Sequence, residues 1–228
     1  AALARSLAES GLTGLQLTYE GPPAVHNARR RVAAGDPGSY EAQAALLQEL
    51  ARSPDLPEIT IRVNYDRQNL SHLPDLFGRL ARLAAGGCFD PENCFISPIV
   101  RVFDQPHAHL DAQALSPVEA ARAMAGLLTA RLEAGLGLAE GDLIPEHPCR
   151  FYLSEGYSVD ALGRFHTCGS LFGSHAFTAD LDAPPVGPNW RREDLSPECL
   201  ACPVLATCFG GCPSAGPVSQ AGRSHCPR

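Results

Sequence analysis

Cysteines are the residues whose type and spacing in this sequence could do chemistry. Of the nine in the 228-residue chain, seven follow residue 148. These seven are Cys149, Cys168, Cys199, Cys202, Cys208, Cys212 and Cys226. Cys199 and Cys202 are close enough in sequence for two thiolates to reach one metal centre from a single turn. Because seven thiolates exceed the four that one tetrahedral zinc ion takes, the spacing predicts at least two metal centres.

The kind of centre is not fixed by spacing alone, because zinc ions and iron–sulfur clusters both take four thiolates. Disulfides are a third interpretation. The first residues, Ala1–Ser10, lack the basic region and long apolar stretch of a secretory signal. We therefore expect a reducing, cytoplasmic compartment, in which clustered cysteines bind metal more often than they pair. Iron–sulfur is favoured over zinc, and zinc over disulfides.

A more specific cysteine pattern extends over residues 145–228. It is C-x13-G-x4-C, then C-x2-C-x5-C-x3-C, then a last cysteine, and Trp190 lies within it. This order resembles the seven-cysteine signature of SPASM domains, which are C-terminal extensions of radical S-adenosylmethionine (SAM) enzymes that modify peptides and proteins. The resemblance implies two auxiliary 4Fe–4S clusters. The implied ligands are Cys149, Cys168 and Cys212 for the inner cluster and Cys199, Cys202, Cys208 and Cys226 for the outer one.

The inner cluster that the resemblance implies has three cysteine ligands and a position for one more ligand. Fully ligated family members carry a further cysteine shortly before the first, and none stands there in this chain. We expect either an open iron or a ligand from Asp142, Glu146 or His147. Cys88 and Cys94 are further candidates, and the alternative for both is that they are ordinary buried cysteines.

The stretch Leu17–Pro22, followed by His26 and Arg30, resembles the fourth strand and loop of radical SAM barrels. In that family a Ser or Thr and an Arg contact SAM at these positions. The resemblance implies that Thr18 and Arg30 contact SAM, and a guanidinium is well suited to pair with its carboxylate. The alternative is that Thr18 ends a strand and Arg30 is a solvated charge. Ile61–Asn64, with Asn69 following, likewise resembles the fifth strand of the family and its exit.

The motif that defines radical SAM enzymes, C-x3-C-x2-C, does not occur in the sequence. In the family it holds the cluster that cleaves SAM, in the first strand–loop unit of the barrel. We expect this segment upstream of Ala1, the chain being either a fragment or naturally truncated. SAM and a third 4Fe–4S cluster are therefore expected only together with that missing half. Whether the chain shown is an enzyme by itself is left open.

The resemblance implies a maturase that modifies a peptide or protein substrate by radical chemistry. It also implies an electron donor such as flavodoxin or ferredoxin. Sulfatase-maturing members carry an Asp directly after the second signature cysteine, where this chain has Gly169, so peptide crosslinking is at least as well supported as formylglycine synthesis. Two alternatives stay open: a truncated, non-catalytic iron–sulfur module that binds a peptide or partner enzyme, and a zinc-binding structural protein.

Strands and helices alternate before the cysteine-rich region. Apolar spacing predicts strands over 13–18, 58–64 and 95–103 and helices over 41–52, 70–85 and 116–136. Repeated strand–helix units predict parallel strands in an α/β fold. By the resemblance, residues 1–140 form the C-terminal half of a partial (β/α)6 radical SAM barrel. Residues 141–228 then form a small, irregular SPASM domain.

The cysteine-rich region opens with a predicted β-hairpin. Strands are expected over 151–160 and 164–168, and Gly163 suits the tight turn between them. This turn would bring Cys149 and Cys168 near each other.

Composition argues against several other functions. The formal net charge is −7, which opposes binding to the phosphate backbone of nucleic acid. No apolar run reaches the length of a membrane span. All 18 basic residues are arginines, which excludes lysine Schiff-base chemistry and a phosphate-binding P-loop lysine. We therefore expect neither nucleic acid nor a membrane as a partner.

Overall fold

The computed structural model describes residues 2–31, 38–52, 58–98, 113–138, 157–160, 162–166, 178–179, 197–203 and 205. The chain divides into two compact units. The first is Ala1–Ile99 with Val118–Asp142, and the second is Val100–Pro117 with Leu143–Arg228. Two compact units do not identify two families, so the assignment of residues 1–140 and 141–228 to a barrel half and a SPASM domain stays a prediction.

The first unit is built on a parallel sheet of three strands in sequential order. The strands are β1 (Gly14–Tyr19), β2 (Glu58–Tyr65) and β3 (Cys94–Pro98), with β2 in the middle. The three predicted strands and their parallel pairing are confirmed. The predicted end of the third strand, residues 99–103, lies outside the described residues.

Helices connect and flank these strands. They are α1 (Ala2–Glu9), α2 (Pro23–Arg29), α3 (Ser39–Leu50), α4 (Leu73–Ala85) and α5 (Pro117–Glu133), with 3-10 turns at Leu70–His72 and Pro91–Asn93. The three predicted helices correspond to α3, to the Leu70–His72 turn with α4, and to α5. The short helix α2 lacks the length to show apolar periodicity, and only the prolines at its start mark it. None of the described helices is both long and apolar enough to span a membrane.

One face of the sheet is apolar and packs against helices. It carries Tyr19, Tyr65 and the buried aliphatic side chains of β2 and β3. The ring of Tyr40 in α3 lies 5.3 Å from that of Tyr19, and the Tyr65 hydroxyl donates to the Ala120 carbonyl oxygen of α5 at 3.0 Å. Right-handed crossovers between sequential parallel strands place the connecting helices on the same face. The core is completed by the buried side chains Leu47, Leu50, Leu73, Leu76, Phe77 and Leu80.

The opposite face of the sheet is mostly polar. Apart from Phe95, the side chains on this face are Gln16, Thr18, Glu58, Thr60, Arg62, Asn64 and Ser97, each exposed or half-buried. Parallel strands that are buried on both faces usually have continuous apolar sequences, whereas β1 and β2 alternate apolar and polar residues. The sheet therefore has one face for packing and one face for polar contacts. The predicted α/β class is confirmed.

The second unit contains a small antiparallel sheet. Its strands are β4 (Ser158–Val159), β5 (Phe165–His166) and β6 (Thr178–Ala179), and a single helical turn, α6, spans Pro197–Leu200. The pairing of β4 with β5 confirms the centre of the predicted hairpin, whose outer parts lie outside the described residues. β6 pairs with β5 and is too short for the sequence pattern to reveal.

Asp160 closes the turn between β4 and β5. Its Oδ1 accepts the backbone N–H of Leu162 at 2.9 Å and of Arg164 at 3.0 Å. Its Oδ2 accepts from Arg164 Nε at 2.8 Å and lies 3.1 Å from His166 Nε2. Desolvation raises the pKa of Asp160, but these hydrogen bonds outweigh it and hold the pKa well below the usual range. Gly163 has a φ of 77°, the left-handed conformation that the predicted tight turn requires.

His26 is fully buried in the first unit and forms a cluster of three rings with Tyr19 and Tyr40. Its ring centroid lies 5.4 Å from that of Tyr19 and 5.9 Å from that of Tyr40. Nδ1 accepts the backbone N–H of Glu20 at 3.2 Å, which requires a neutral imidazole. Burial, followed by the positive charge of Arg30, lowers the pKa of His26 to about 4.

The buried His26 should make the first unit sensitive to mild acid. Its folded pKa of about 4 lies below the ordinary value of 6.5, so between these pH values the unfolded chain binds the proton and the folded chain does not. Stability is therefore complete above pH 6.5 and falls by about 3 kcal/mol as the pH approaches 4. Urea unfolding followed by circular dichroism from pH 7.5 to 4 measures this loss.

His26→Asn is the control, because an amide oxygen can accept the Glu20 N–H and does not titrate. The slope of unfolding free energy against pH should be shallower in this variant than in the wild type. Equal slopes would contradict the role given to His26.

Candidate functional site

Charged side chains gather at the carboxyl ends of the three parallel strands. Ligands of parallel α/β folds bind at this edge, because the loops that follow the strands meet there. The residues are Thr18, Glu20, Arg62, Asn64, Asp66 and Ser97 from the strands and their exits, with Arg29 and Arg30 from the end of α2. We refer to these eight residues as the carboxyl-edge cluster.

Glu20, directly after β1, is the centre of this cluster. Its buried carboxylate accepts from Arg30 Nε at 3.1 Å and Nη2 at 2.9 Å, both on Oε1. Its other oxygen, Oε2, lies 3.1 Å from Arg29 Nε. A carboxylate is tolerated away from water only when its charge is compensated. Arg29, the last residue of the short helix α2, and Arg30, which follows it, provide that compensation.

The path of the chain after β1 explains how two successive arginines reach one carboxylate. Gly21 has a φ of 146°, and a Cβ on it would lie 2.7 Å from Val25 Cγ1, so only glycine lets α2 start this close to the strand. The helix ends at Arg29, and Arg30 departs from helical geometry with φ −112° and ψ 75°. Because neighbouring helical side chains diverge, this break allows Arg29 and Arg30 to converge on Glu20.

Asp66, directly after β2, is fully buried and pairs with the same Arg29. Arg29 Nη1 donates to Oδ1 at 3.1 Å, and Nη2 donates to Oδ2. The backbone N–H groups of Gln68 and Asn69 donate to Oδ1 at 2.9 and 3.1 Å. Burial raises the pKa of Asp66, but the bonds from Arg29 and the backbone outweigh it and hold the pKa below the usual range. In return, the hydrogen bond to Asp66 raises the pKa of Arg29.

Asn69 ties the exits of β1 and β2 together. Its Nδ2 donates to the backbone carbonyls of Glu20 at 2.8 Å and Asn64 at 2.9 Å. Its Oδ1 accepts the backbone N–H of Asp66 at 2.8 Å. One buried amide therefore satisfies three backbone groups that the ends of two strands leave open.

Arg62 is the third cation of the cluster and lies on the polar face of β2. It is in register with Thr18 of β1, and its Nη2 donates to Ser97 Oγ of β3 at 3.0 Å. Its Nε–H is buried and has no hydrogen-bond acceptor among the residues that the structure describes. Burial, followed by the charge of Arg30, lowers the pKa of Arg62. A buried guanidinium N–H without an acceptor is unfavourable, so this position favours an additional anion.

The two predicted SAM contacts, Thr18 and Arg30, both lie in the carboxyl-edge cluster. Thr18 is half-buried on the polar face beside Arg62. Arg30 is 41% exposed, yet two of its N–H groups are held by Glu20, so it is an ion-paired side chain. That Thr18 and Arg30 contact SAM stays a prediction.

Sequence reasoning named Thr18 and Arg30 as site residues and missed the other six members of this cluster, which are Glu20, Arg29, Arg62, Asn64, Asp66 and Ser97. Arg29 and Asp66 stand 37 positions apart, and no local pattern connects them. For Asp66 and Arg62 the sequence did contain a signal. Asp66 follows a predicted strand directly, and Arg62 occupies a polar position in the alternation of that strand.

Of the seven cysteines predicted to bind clusters, the structure describes Cys199 and Cys202. The other five lie outside the described residues. Cys199 lies in α6, and the backbone N–H of Cys202 donates to its carbonyl oxygen at 3.0 Å. Both are half-buried, so a single turn carries two thiols near the surface. Within the described ranges, no group of three or more His, Cys, Asp or Glu side chains is arranged to hold a metal ion.

Cys88 and Cys94 are both buried in the first unit. Cys94 begins β3, at the amino edge of the sheet, which is opposite to the carboxyl-edge cluster. Its carbonyl oxygen accepts from the buried Arg131. Their burial fits the interpretation of both residues as ordinary core cysteines.

No protein-family model and no curated protein matches the chain.

Replacing Asp66 should destabilise the first unit far more than replacing a surface aspartate. Asp66→Asn leaves Arg29 short of one buried counter-charge and should lower the free energy of unfolding by about 3 kcal/mol. Urea denaturation followed by circular dichroism at pH 7 gives the value.

Asp75→Asn is the matched control, because Asp75 is 56% exposed and pairs with Arg79 on the surface of α4. Such exposed pairs contribute about 0.5 kcal/mol or less. Similar losses in the two variants would show that the buried ion pairs do not hold the strand exits together.

Proposed function

We propose that the chain is part of a radical SAM maturase that modifies a peptide or protein substrate, with two auxiliary 4Fe–4S clusters in a SPASM domain. The observation that carries this proposal is the spacing of the seven cysteines from Cys149 to Cys226. The C-x3-C-x2-C motif does not occur in the sequence, so the proposal covers the SAM contacts and the auxiliary clusters. It does not cover the cluster that cleaves SAM.

The one-sided sheet of the first unit supports this proposal. Sequential parallel strands, helices on the apolar face and charges at the carboxyl edge are what one wall of a β/α barrel requires. A doubly wound sheet instead reverses its strand order and has both faces covered by helices. We therefore take the sheet to be the C-terminal half of a partial (β/α)6 barrel, with the polar face towards its interior.

The carboxyl-edge cluster has the chemistry to hold the amino-acid end of SAM. Thr18 offers a hydroxyl, and Arg30 offers guanidinium donors beyond the two that Glu20 takes. Charge-assisted bonds from a guanidinium to a carboxylate are strong and directional. Glu20 and Arg29 hold the loop that carries Arg30 in place. When bound, SAM and its cluster supply hydrogen-atom abstraction from the substrate, and the residues of this chain orient the cofactor.

The turn at α6 has the chemistry to hold part of an auxiliary cluster. Two half-buried thiols on one turn fit a thiolate-bound centre, whose potential depends on burial and hydrogen bonding. In the proposal the outer cluster is held by Cys199, Cys202, Cys208 and Cys226, and the inner one by Cys149, Cys168 and Cys212. An open iron on the inner cluster would bind the peptide substrate. Electrons would come from a donor such as flavodoxin or ferredoxin.

Metal analysis tests this proposal directly. After anaerobic purification and cluster reconstitution, the wild type should contain about eight auxiliary iron atoms per chain. Its thiolate-bound clusters should absorb light at about 400 nm. Cys202→Ala should lose about half of that iron, because a four-iron cluster with one thiolate missing is weakly held. Iron and zinc are counted by plasma mass spectrometry.

Cys88→Ala is the matched control, because Cys88 is a buried thiol of the first unit and should leave the iron content unchanged. Stoichiometric zinc without reconstitutable iron would instead identify a zinc-binding structural protein. Unchanged iron in Cys202→Ala would remove Cys202 from the outer cluster.

A further inference from the structure

The three-ring cluster of Tyr19, His26 and Tyr40 contains two buried polar atoms with unmet hydrogen bonds. These atoms are Tyr19 Oη and His26 Nε2, and neither has a hydrogen-bond partner among the residues that the structure describes. Both side chains are fully buried, and their ring centroids lie 5.4 Å apart. Because each group has lost its hydration, each needs a partner inside the core.

The loop after β1 determines which nitrogen of His26 carries the proton. Nδ1 accepts the backbone N–H of Glu20 at 3.2 Å, so the proton of the neutral ring lies on Nε2. Nε2 is therefore a donor that needs an acceptor. The Tyr19 hydroxyl can accept and donate, but the two atoms do not bond each other directly, since each would then have a partner. A third group is needed to satisfy both atoms.

The charges around His26 favour an uncharged partner. Those that act on its ring are the guanidinium of Arg30 and the carboxylates of Glu20 and Glu41, which together leave one net negative charge. A further anion would add to this charge in a core of low dielectric. A cation, in turn, cannot accept the proton of Nε2–H.

The surroundings of the Tyr19 hydroxyl are also apolar or uncharged. Burial, followed by the neighbouring Tyr40 and Cys88, raises the pKa of Tyr19, so the phenol keeps its proton at neutral pH. Cys88 is itself buried. The smallest neutral molecule that can both accept from an N–H and bond a hydroxyl is water.

We propose that one buried water molecule bridges His26 Nε2 and the Tyr19 hydroxyl. The water accepts from Nε2–H and forms its second hydrogen bond with Tyr19 Oη. With bonds of about 2.8 Å, one water joins two polar atoms that are up to about 5.5 Å apart. Buried waters bind in this way to polar groups that the protein leaves open.

This water acts on the carboxyl edge of the sheet through the imidazole. By accepting from Nε2–H, it favours the tautomer whose Nδ1 accepts from the backbone of Glu20. The side chain of the same Glu20 pairs with Arg29 and Arg30. Neither SAM nor an iron–sulfur cluster is needed for the water to bind.

Removing the Tyr19 hydroxyl tests the inference by the sign of its effect on stability. With the water in place, Tyr19→Phe should raise the unfolding equilibrium constant about 5-fold, because a hydrogen bond is lost and the water loses a partner. Without a water, the same change would lower this constant, because it removes a buried polar group that is unsatisfied. Urea denaturation of the full chain, followed by circular dichroism at pH 7, gives the value.

Tyr65→Phe is the matched control, because Tyr65 is a similarly buried tyrosine at the end of the neighbouring strand and its hydroxyl has a protein acceptor. It should raise the constant by a similar factor. His26→Asn keeps an acceptor for the Glu20 N–H but has no group at the position of Nε2. The double variant with Tyr19→Phe should lose less stability than the sum of the two changes, because both release the same water.

A crystal structure of the full chain provides a check that needs no variant. It should show an ordered water within about 3.2 Å of both Tyr19 Oη and His26 Nε2. The inference is overturned by a Tyr19→Phe variant that is neutral or stabilised, by additive losses in the double variant, or by a well-defined map without a water at this position.

Discussion

Two carboxylates buried at the exits of neighbouring strands share one arginine, and the first unit depends on this arrangement. Glu20 and Asp66 would each be unstable away from water without a counter-charge, and Arg29 contacts both. Because the three groups come from the end of β1, the end of β2 and the end of α2, their pairing fixes three separate pieces of chain. Asn69 reinforces it through backbone groups of the same two strand exits. The carboxyl edge of the sheet is therefore held by charge and hydrogen bonding, whereas the apolar face of the sheet is held by packing against helices.

The polar face of the sheet takes no part in the apolar packing that the structure describes. Since the helices that are described cover the face of Tyr19 and Tyr65, the stability of the unit does not require Thr18 or Arg62 to pack against an apolar layer. Residues there can be selected for a ligand, and one of them keeps a buried N–H without an acceptor among the described residues. Local features that oppose stability are expected where a protein binds or reacts. In the described part of the second unit, Asp160 closes a hairpin turn, and a second turn carries Cys199 and Cys202.

The sequence was sufficient to predict the elements whose apolar spacing is long enough to be periodic. β2, α4 and α5 fall where alternation and helical spacing indicate, and the glycine of the hairpin turn has the conformation expected of it. The helix α2 was missed because seven residues contain too few apolar positions to show a period. Within the site, Thr18 and Arg30 were named by resemblance, and the structure brings both to one edge of the sheet. Arg29 and Asp66 could not be joined from sequence, because only the parallel register of β1 and β2 brings residues so distant in the chain together.

The shape of the Arg29 guanidinium has a consequence for how this edge can receive a ligand. Its Nε faces one carboxylate and its two Nη atoms face the other, so a single flat, rigid group acts as the spacer between two strands. The separation of the Glu20 and Asp66 carboxylates is thereby set by the covalent geometry of one guanidinium and not by the softer packing of several side chains. A ligand at this edge would therefore meet two strand exits held at a fixed separation. A lysine at position 29 could carry the charge, but its single ammonium group could not contact both carboxylates in this fixed geometry.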